Sequence, residues 1–220
     1  MNDLGARQEI LSRIRSMLPA PEACSAEYAA LQRAYSRRGT RSCEARLELF
    51  VDRLVDYQGE VLQVEDLGSL PEAIAQALRN ANEFRVIVPM ELPKAWLPSG
   101  FHFQADSPLI TAEIDTAEAV VTTCELAVAF TGTIILVHGG AQGRRVLTLL
   151  PGHHICIVRS DQVVEILPEA LAILDKTNPA TMTTISGPSA TSDIEMTRIR
   201  GVHGPRHLTV ILIGGKSDAP

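Results

Sequence analysis

From residue 84 onward the chain repeatedly turns apolar for four to six residues and then stops: FRVIV at 84–88, AVVTT at 119–123, LAVAF at 126–130, TIILV at 133–137, ICIV at 155–158 and LTVILI at 208–213. Runs of that length suit buried strands and are too short for a membrane-spanning helix. VLQV at 61–64 and TMTTI at 181–185 extend the set, and Ile110–Thr111 reads as a further short strand. Between the runs the apolar period changes to that of a helix. Leu47, Phe50, Val51, Leu54 and Val55 form one buried stripe, and Leu70, Ile74, Ala77 and Leu78 form another. Ser69 and Glu72 have the spacing of a capping box at the start of the second stripe. Leu167, Leu171, Ile173 and Leu174 predict a third helix, with Pro168 in its first turn. Strands alternating with helices predict an α/β domain of three layers, a sheet with helices on both faces. The quick succession of strands between 119 and 137 predicts a hairpin insertion that makes the sheet mixed.

Ahead of this domain, Leu4, Ile10, Leu11, Ile14 and Leu18 lie at helical spacing, and Pro19 and Pro21 end the pattern. Tyr28, Leu31 and Tyr35 suggest a second helix. The expected organisation is a helical arm over 1–42, an α/β domain over 43–215 and a flexible tail over 216–220. With 45% hydrophobic and 21% charged residues the chain is that of a folded protein. Its net charge of −6 gives no general attraction to nucleic acid. Charges run through the opening residues where a signal peptide would be apolar, so a cytoplasmic location without a transmembrane segment is expected. Cys24, Cys43, Cys124 and Cys156 are too dispersed for a local zinc or iron–sulfur motif. No metal site is expected and no cofactor motif is identified.

The stretch that most invites a ligand is Thr181–His207, TMTTISGPSATSDIEMTRIRGVHGPRH. Gly187 and Pro188 shape a turn after a strand, and Ser192 and Glu195 have capping-box spacing for a helix beginning near Asp193. Such a helix start offers N–H groups and a favourable dipole to an anion, with Gly187, Ser189, Thr191 and Ser192 at hand. Asp193 disfavours a second anion there and suits a metal, a sugar hydroxyl or a partner's arginine. His203 and Arg206, in the turn before the last strand, are placed to face this loop. A second surface runs from Thr131 to Arg145: Thr131-Gly132-Thr133 turns a hairpin, Gly139, Gly140 and Gly143 allow close backbone approach, and Arg144 and Arg145 can neutralise a carboxylate or phosphate. Glu125, His138, His153 and His154 are further candidates; on an extended strand the adjacent histidines point to opposite faces. No GxxxxGK[ST], GxGxxG or GxSxG motif is present. These residues leave open a small-anion-binding regulatory module and an autonomous enzyme acting on a phosphorylated sugar or acyl-CoA-like substrate.

Five blocks in a fixed order carry a resemblance: LELFVDRLVDYQGEV at 47–61, ELAVAFTGTIIL at 125–136, GRRVLTLLPGHHICIV at 143–158, TTISGPSATSDIE at 183–195 and GVHGPRHLTVILI at 201–213. Together they resemble the LUD-domain family, in particular its lactate-utilisation C-type members. The resemblance implies a fold similar to the NagB/RpiA/CoA-transferase-like superfamily. It implies a part in bacterial L-lactate utilisation, oxidation of lactate to pyruvate, alongside A-like and B-like partner proteins that carry the iron–sulfur clusters. It carries over Gly187, Pro188, Ser189, Thr191, Asp193, Ile194, Glu195, His203, Gly204 and Pro205 as site architecture. Two positions depart from the family pattern: Phe130 stands where relatives have an acid, and Ala190 where they have arginine or lysine.

Overall fold

A computed structural model describes residues 3–18, 21–107, 109–177, 179–191, 199–200 and 204–214. The chain divides into two compact units, Met1–Ser36 and Arg37–Pro220. The first contains α1 (Asp3–Met17) and α2 (Pro21–Ala30). Leu31 and Tyr35, assigned to the second helix by spacing, lie beyond its end.

The second unit begins by tying its own leading segment down. Glu165 accepts hydrogen bonds from the backbone N–H groups of Thr40 and Arg41, and Glu169 from that of Gly39. α3 (Cys43–Asp56) follows, its first turn capped by Ser42 Oγ, which accepts from the N–H of Ala45. Leu47, Phe50 and Leu54 are buried along it, whereas Val55 is exposed, on the far side of the stripe.

Strands β1 (Glu60–Val64), β2 (Arg85–Val88), β3 (His102–Ala105), β4 (Ala119–Thr123), and two longer ones, His153–Arg159 and His207–Ile213, build the main sheet. Between them in sequence lie β5 (Leu126–Val128), β6 (Thr133–Leu136), then β7 (the His153–Arg159 strand), β8 (Val163–Val164), β9 (Thr183–Ile185), β10 (Ala190–Thr191), β11 (Ile199–Arg200) and β12 (the His207–Ile213 strand). The main sheet has the order β1-β12-β7-β4-β2-β3 with every neighbouring pair parallel. This sheet is parallel throughout, and the mixed pairing expected from spacing is found in a second sheet. The hairpin of β5 and β6 pairs with β8 and β9 as a separate four-stranded sheet. Four residues, 129–132, link β5 to β6, so this pair forms its own ladder and not an extension of β4. The predicted final strand at 181–185 likewise belongs to the small sheet, as its edge strand β9.

Side chains alternate across the parallel sheet. On one face Val86, Val88, Val121, Ile155, Ile157 and Ile211 pack against α4 (Leu70–Ala81) through Leu70, Ile74 and Leu78. On the other, Cys156, Val158, Val210 and Leu212 pack against Phe50 and Leu54 of α3 and against Ala127 and Ile134 of the small sheet. That small sheet is covered in turn by Ala170 and Leu174 of α6 (Leu167–Thr177). Each fully buried Leu, Ile or Phe contributes about 2 kcal/mol of hydrophobic stabilisation. Only Ala170 and Leu174 of α6 are buried; Leu167, Leu171 and Ile173 are partly exposed. The architecture is α/β with helices on both faces, its mixed pairing confined to the second sheet.

Two local expectations change. Ser69 does not close a capping box: its hydroxyl and N–H both bond Asp66, while Glu72 pairs with Arg79. Pro71 removes one N–H that a cap would satisfy. Ile110–Thr111 is no strand but the start of a short helix, α5 (Thr111–Asp115), where the Glu113 side chain accepts from the Ile110 N–H.

Candidate functional site

Beside the start of β7, on the α3 face of the parallel sheet, lies a cavity of about 280 Å³. Three sequence segments converge on it. The loop after β6 supplies Arg145, Thr148 and Leu149; β9 and the turn behind it supply Thr183 to Ser189; Gly204 and Pro205 close it in front of β12. His154 and Leu208, which are register partners in β7 and β12, also line it.

The turn after β9 is held tightly. Gly187 has φ 97°, and a Cβ there would sit 2.8 Å from both the carbonyl oxygen and the Cβ of Tyr57, so only glycine fits. The Ser189 N–H donates to the Pro205 carbonyl at 2.8 Å, which ties this turn to the Gly-Pro turn before β12. Ser186 Oγ pairs with Thr133 Oγ1 at 2.7 Å, which anchors the turn to β6.

Arg145 brings the positive charge. Its Nη1 donates to Thr148 Oγ1 at 3.1 Å, and that hydroxyl in turn donates to the Arg145 carbonyl. His138, just ahead in the same loop, has φ 58°, a conformation that L residues seldom adopt. Its Nε2 meets Thr183 Oγ1 at 2.7 Å. Burial holds the His138 pKa below its ordinary value, and the charge of Arg145 lowers it further. Behind His154 lies a buried thiol pair. A hydrogen bond with Cys124 lowers the pKa of the Cys156 thiol against the opposing effect of burial, while that of Cys124 is pushed up.

The structure thus brings Arg145, His154, Gly187 and Ser189 to one cavity and places other candidates elsewhere. Arg144 forms a two-pronged ion pair with Asp106 and donates to the Leu109 carbonyl. This pairing holds the Asp106 carboxyl below its ordinary value. His153 faces the opposite side of the sheet, with Nδ1 2.7 Å from Glu83 Oε2 and Nε2 2.8 Å from Thr209 Oγ1. Glu125 accepts from Gln142 Nε2 at 3.0 Å. Arg206 is exposed, its N–H on the Gly152 carbonyl. Thr191 lies in β10, which pairs antiparallel with β11. Ser192, Asp193, Glu195 and His203, and with them the proposed helix start, lie outside the described residues. Phe130 is exposed beside Arg53, Asp56 and Tyr57 and does not line this cavity. Thr122, Thr148, Thr183 and Ser186 were not singled out by sequence. They stand in apolar runs or turns without motif spacing, and only strand register reveals their neighbours.

Among the described residues no group of three or more His, Cys, Asp or Glu side chains is placed to hold a metal ion. None of the described helices is long and apolar enough to cross a membrane. What the cavity offers is one guanidinium, a set of hydroxyls, a buried imidazole and two tight turns. Groups of this kind can hydrogen-bond a small oxyanion.

Comparison with known proteins gives the same segments a wider setting. The chain is 47% identical over 173 residues to lactate utilization protein C of Deinococcus radiodurans, a match covering 76% of this chain and 79% of that one. Lactate utilization protein C 1 of Bacillus mycoides is 34% identical over 103 residues, 44% of each chain. The crystal structure of a DUF162 family protein from Deinococcus radiodurans superposes with a TM-score of 0.69 at 40% identity, covering 80% of this chain and all of that one. The LUD domain model matches residues 47–213, a span that contains every described strand and every described residue lining the cavity, and the chain belongs to the LUD-domain family.

Proposed function

We propose that this protein is a cytoplasmic component of bacterial L-lactate utilisation that binds a small organic anion and supports oxidation of lactate to pyruvate by partner proteins. Its iron–sulfur chemistry resides in lactate-utilisation A-like and B-like partners, and its own part is that of an accessory, anion-binding subunit. The fold assignment that goes with this reading is the NagB/RpiA/CoA-transferase-like arrangement. Support for the metabolic role comes from the likeness to lactate utilization protein C of Deinococcus radiodurans, matched over 76% of this chain. The observation that carries the binding role is the cavity, where Arg145, Thr148, Ser189 and the Gly187 turn meet.

The planar guanidinium of Arg145 suits a carboxylate, whose two oxygens match its paired donors. The hydroxyls and tight turns fix orientation. The test is reconstitution of lactate-dependent electron transfer from A-like and B-like proteins with and without this chain. Expected is little electron transfer without it, restoration on adding it, and loss of at least tenfold with Arg145→Ala, since a charged hydrogen bond is worth about 1.5–3 kcal/mol. Full activity without this chain, or turnover of lactate by the isolated chain, overturns the accessory role.

A further inference from the structure

The imidazole of His154 is only half used by its surroundings. The residue is 1% exposed, and its Nε2 lies 2.7 Å from Thr122 Oγ1, yet Nδ1 has no hydrogen-bond partner among the described residues. Native interiors seldom leave such an atom unmet unless a water or a ligand completes it. His154 lines the same cavity as Arg145 and the Gly187 turn.

The role of Nδ1 follows from its neighbour on the other side of the ring. The Thr122 hydroxyl has one proton and two acceptors within reach, His154 Nε2 at 2.7 Å and Cys156 Sγ at 4.0 Å. At 4.0 Å the sulfur contact is too long to hold the proton against a nitrogen 2.7 Å away, so the proton goes to nitrogen. A neutral imidazole carries one N–H. With Nε2 accepting, that N–H is on Nδ1, the nitrogen without a partner.

We infer that Thr122 fixes His154 as its Nδ1–H tautomer and that this N–H is the floor donor for a small oxyanion held by Arg145. The inference rests on the anion-binding reading of the cavity and deepens it. An N–H donor at the floor and a guanidinium at the wall call for a ligand with at least two acceptor oxygens, a carboxylate or a phosphate. Thr122 is a positioning residue in this scheme, acting through the ring it orients.

The experiment uses the full chain with ¹⁵N-labelled histidine and two probes, inorganic phosphate and L-lactate, with affinity read by calorimetry and the ring nitrogens by NMR. Wild type is expected to bind at least one probe, to show the Nδ1-protonated pattern for His154, and to shift that resonance on saturation. Thr122→Val, close to threonine in volume, is expected to weaken binding about tenfold, the effect of one hydrogen bond. Thr122→Ser, which keeps the hydroxyl, should restore affinity to within about twofold. Arg145→Ala should abolish binding while leaving the tautomer unchanged. An Nε2-protonated pattern in wild type overturns the inference. So does a His154 resonance unmoved at saturation while Arg145→Ala still abolishes binding, and in that case the anion-binding reading stands. If wild type binds neither probe, both fall together.

Discussion

His153 and His154 are consecutive and almost completely buried, at 2% and 1% exposure, but they face opposite sides of one parallel sheet. On the α4 side, both ring nitrogens of His153 are engaged: Nδ1 by Glu83, and Nε2 by Thr209, whose hydroxyl reaches Glu60. On the α3 side, His154 has Thr122 at one nitrogen and nothing described at the other. Arg144 and Arg145 repeat the contrast one loop earlier. The first is spent on Asp106, while the second lines the cavity. The difference teaches that residue type and burial do not mark a binding group. What marks it is hydrogen-bonding capacity left over after the fold has taken its share.

The largest effect should separate the histidines. Replacing His153 by Phe leaves Glu83 and Thr209 without their partner, so a loss of about 3 kcal/mol in urea unfolding is expected, with anion affinity unchanged for the folded fraction. His154→Phe should cost only about 1 kcal/mol of stability yet weaken phosphate or L-lactate binding. Equal stability losses would erase the distinction drawn between the two faces.

The arginines give a smaller contrast, sharpened by pH. Asp106 has its pKa lowered first by the hydrogen bond from Arg144. A carboxylate depressed on folding contributes stability that is fully present above its ordinary value of 3.8 and lost as pH falls through the lowered folded value. Arg144→Ala should therefore destabilise by roughly 1 kcal/mol at pH 7, since the pair is partly solvated, and the gap from wild type should close at acid pH. Anion binding should be unaffected. Arg145→Ala should show the reverse: no change in the acid limb and loss of binding in calorimetry.

The smallest effect concerns the thiols. Cys156 has a lowered pKa, but both it and Cys124 are buried, whereas Cys43 is exposed. Reactivity needs access as well as thiolate. Mass spectrometry after native iodoacetamide treatment should find Cys43 modified and Cys124 and Cys156 protected until urea is added. Native labelling of Cys156 would mean that the cavity opens down to the thiol pair.

Elements with long, strong periods were legible in the sequence. AVVTT is β4, ICIV and LTVILI are the middles of β7 and β12, and α4 buries all four residues assigned to its apolar stripe. What was not legible had weak or competing local signals. β3 is polar and at the sheet edge, with only Phe103 as a large apolar residue, so no apolar run marks it. The separate small sheet depends on which strands pair, and spacing along the chain does not encode that. The cavity was half visible. Arg145, Gly187 and Ser189 came from glycine-rich turns and His154 from its residue type. Thr122 did not, because its importance arises from lying beside Cys156 across two parallel strands.

The leading segment of the α/β unit carries a consequence of its own. Glu165 and Glu169 grip main-chain N–H groups of residues 39–41, which are the same whatever side chain is attached. Thr40 is thus free to drift without loosening the grip, whereas Gly39 is not, because a Cβ there would collide with the Glu165 side chain. A stretch that looks like an unconstrained connector in sequence is pinned by shape at Gly39 and by charge at Arg41, whose guanidinium pairs with Glu165.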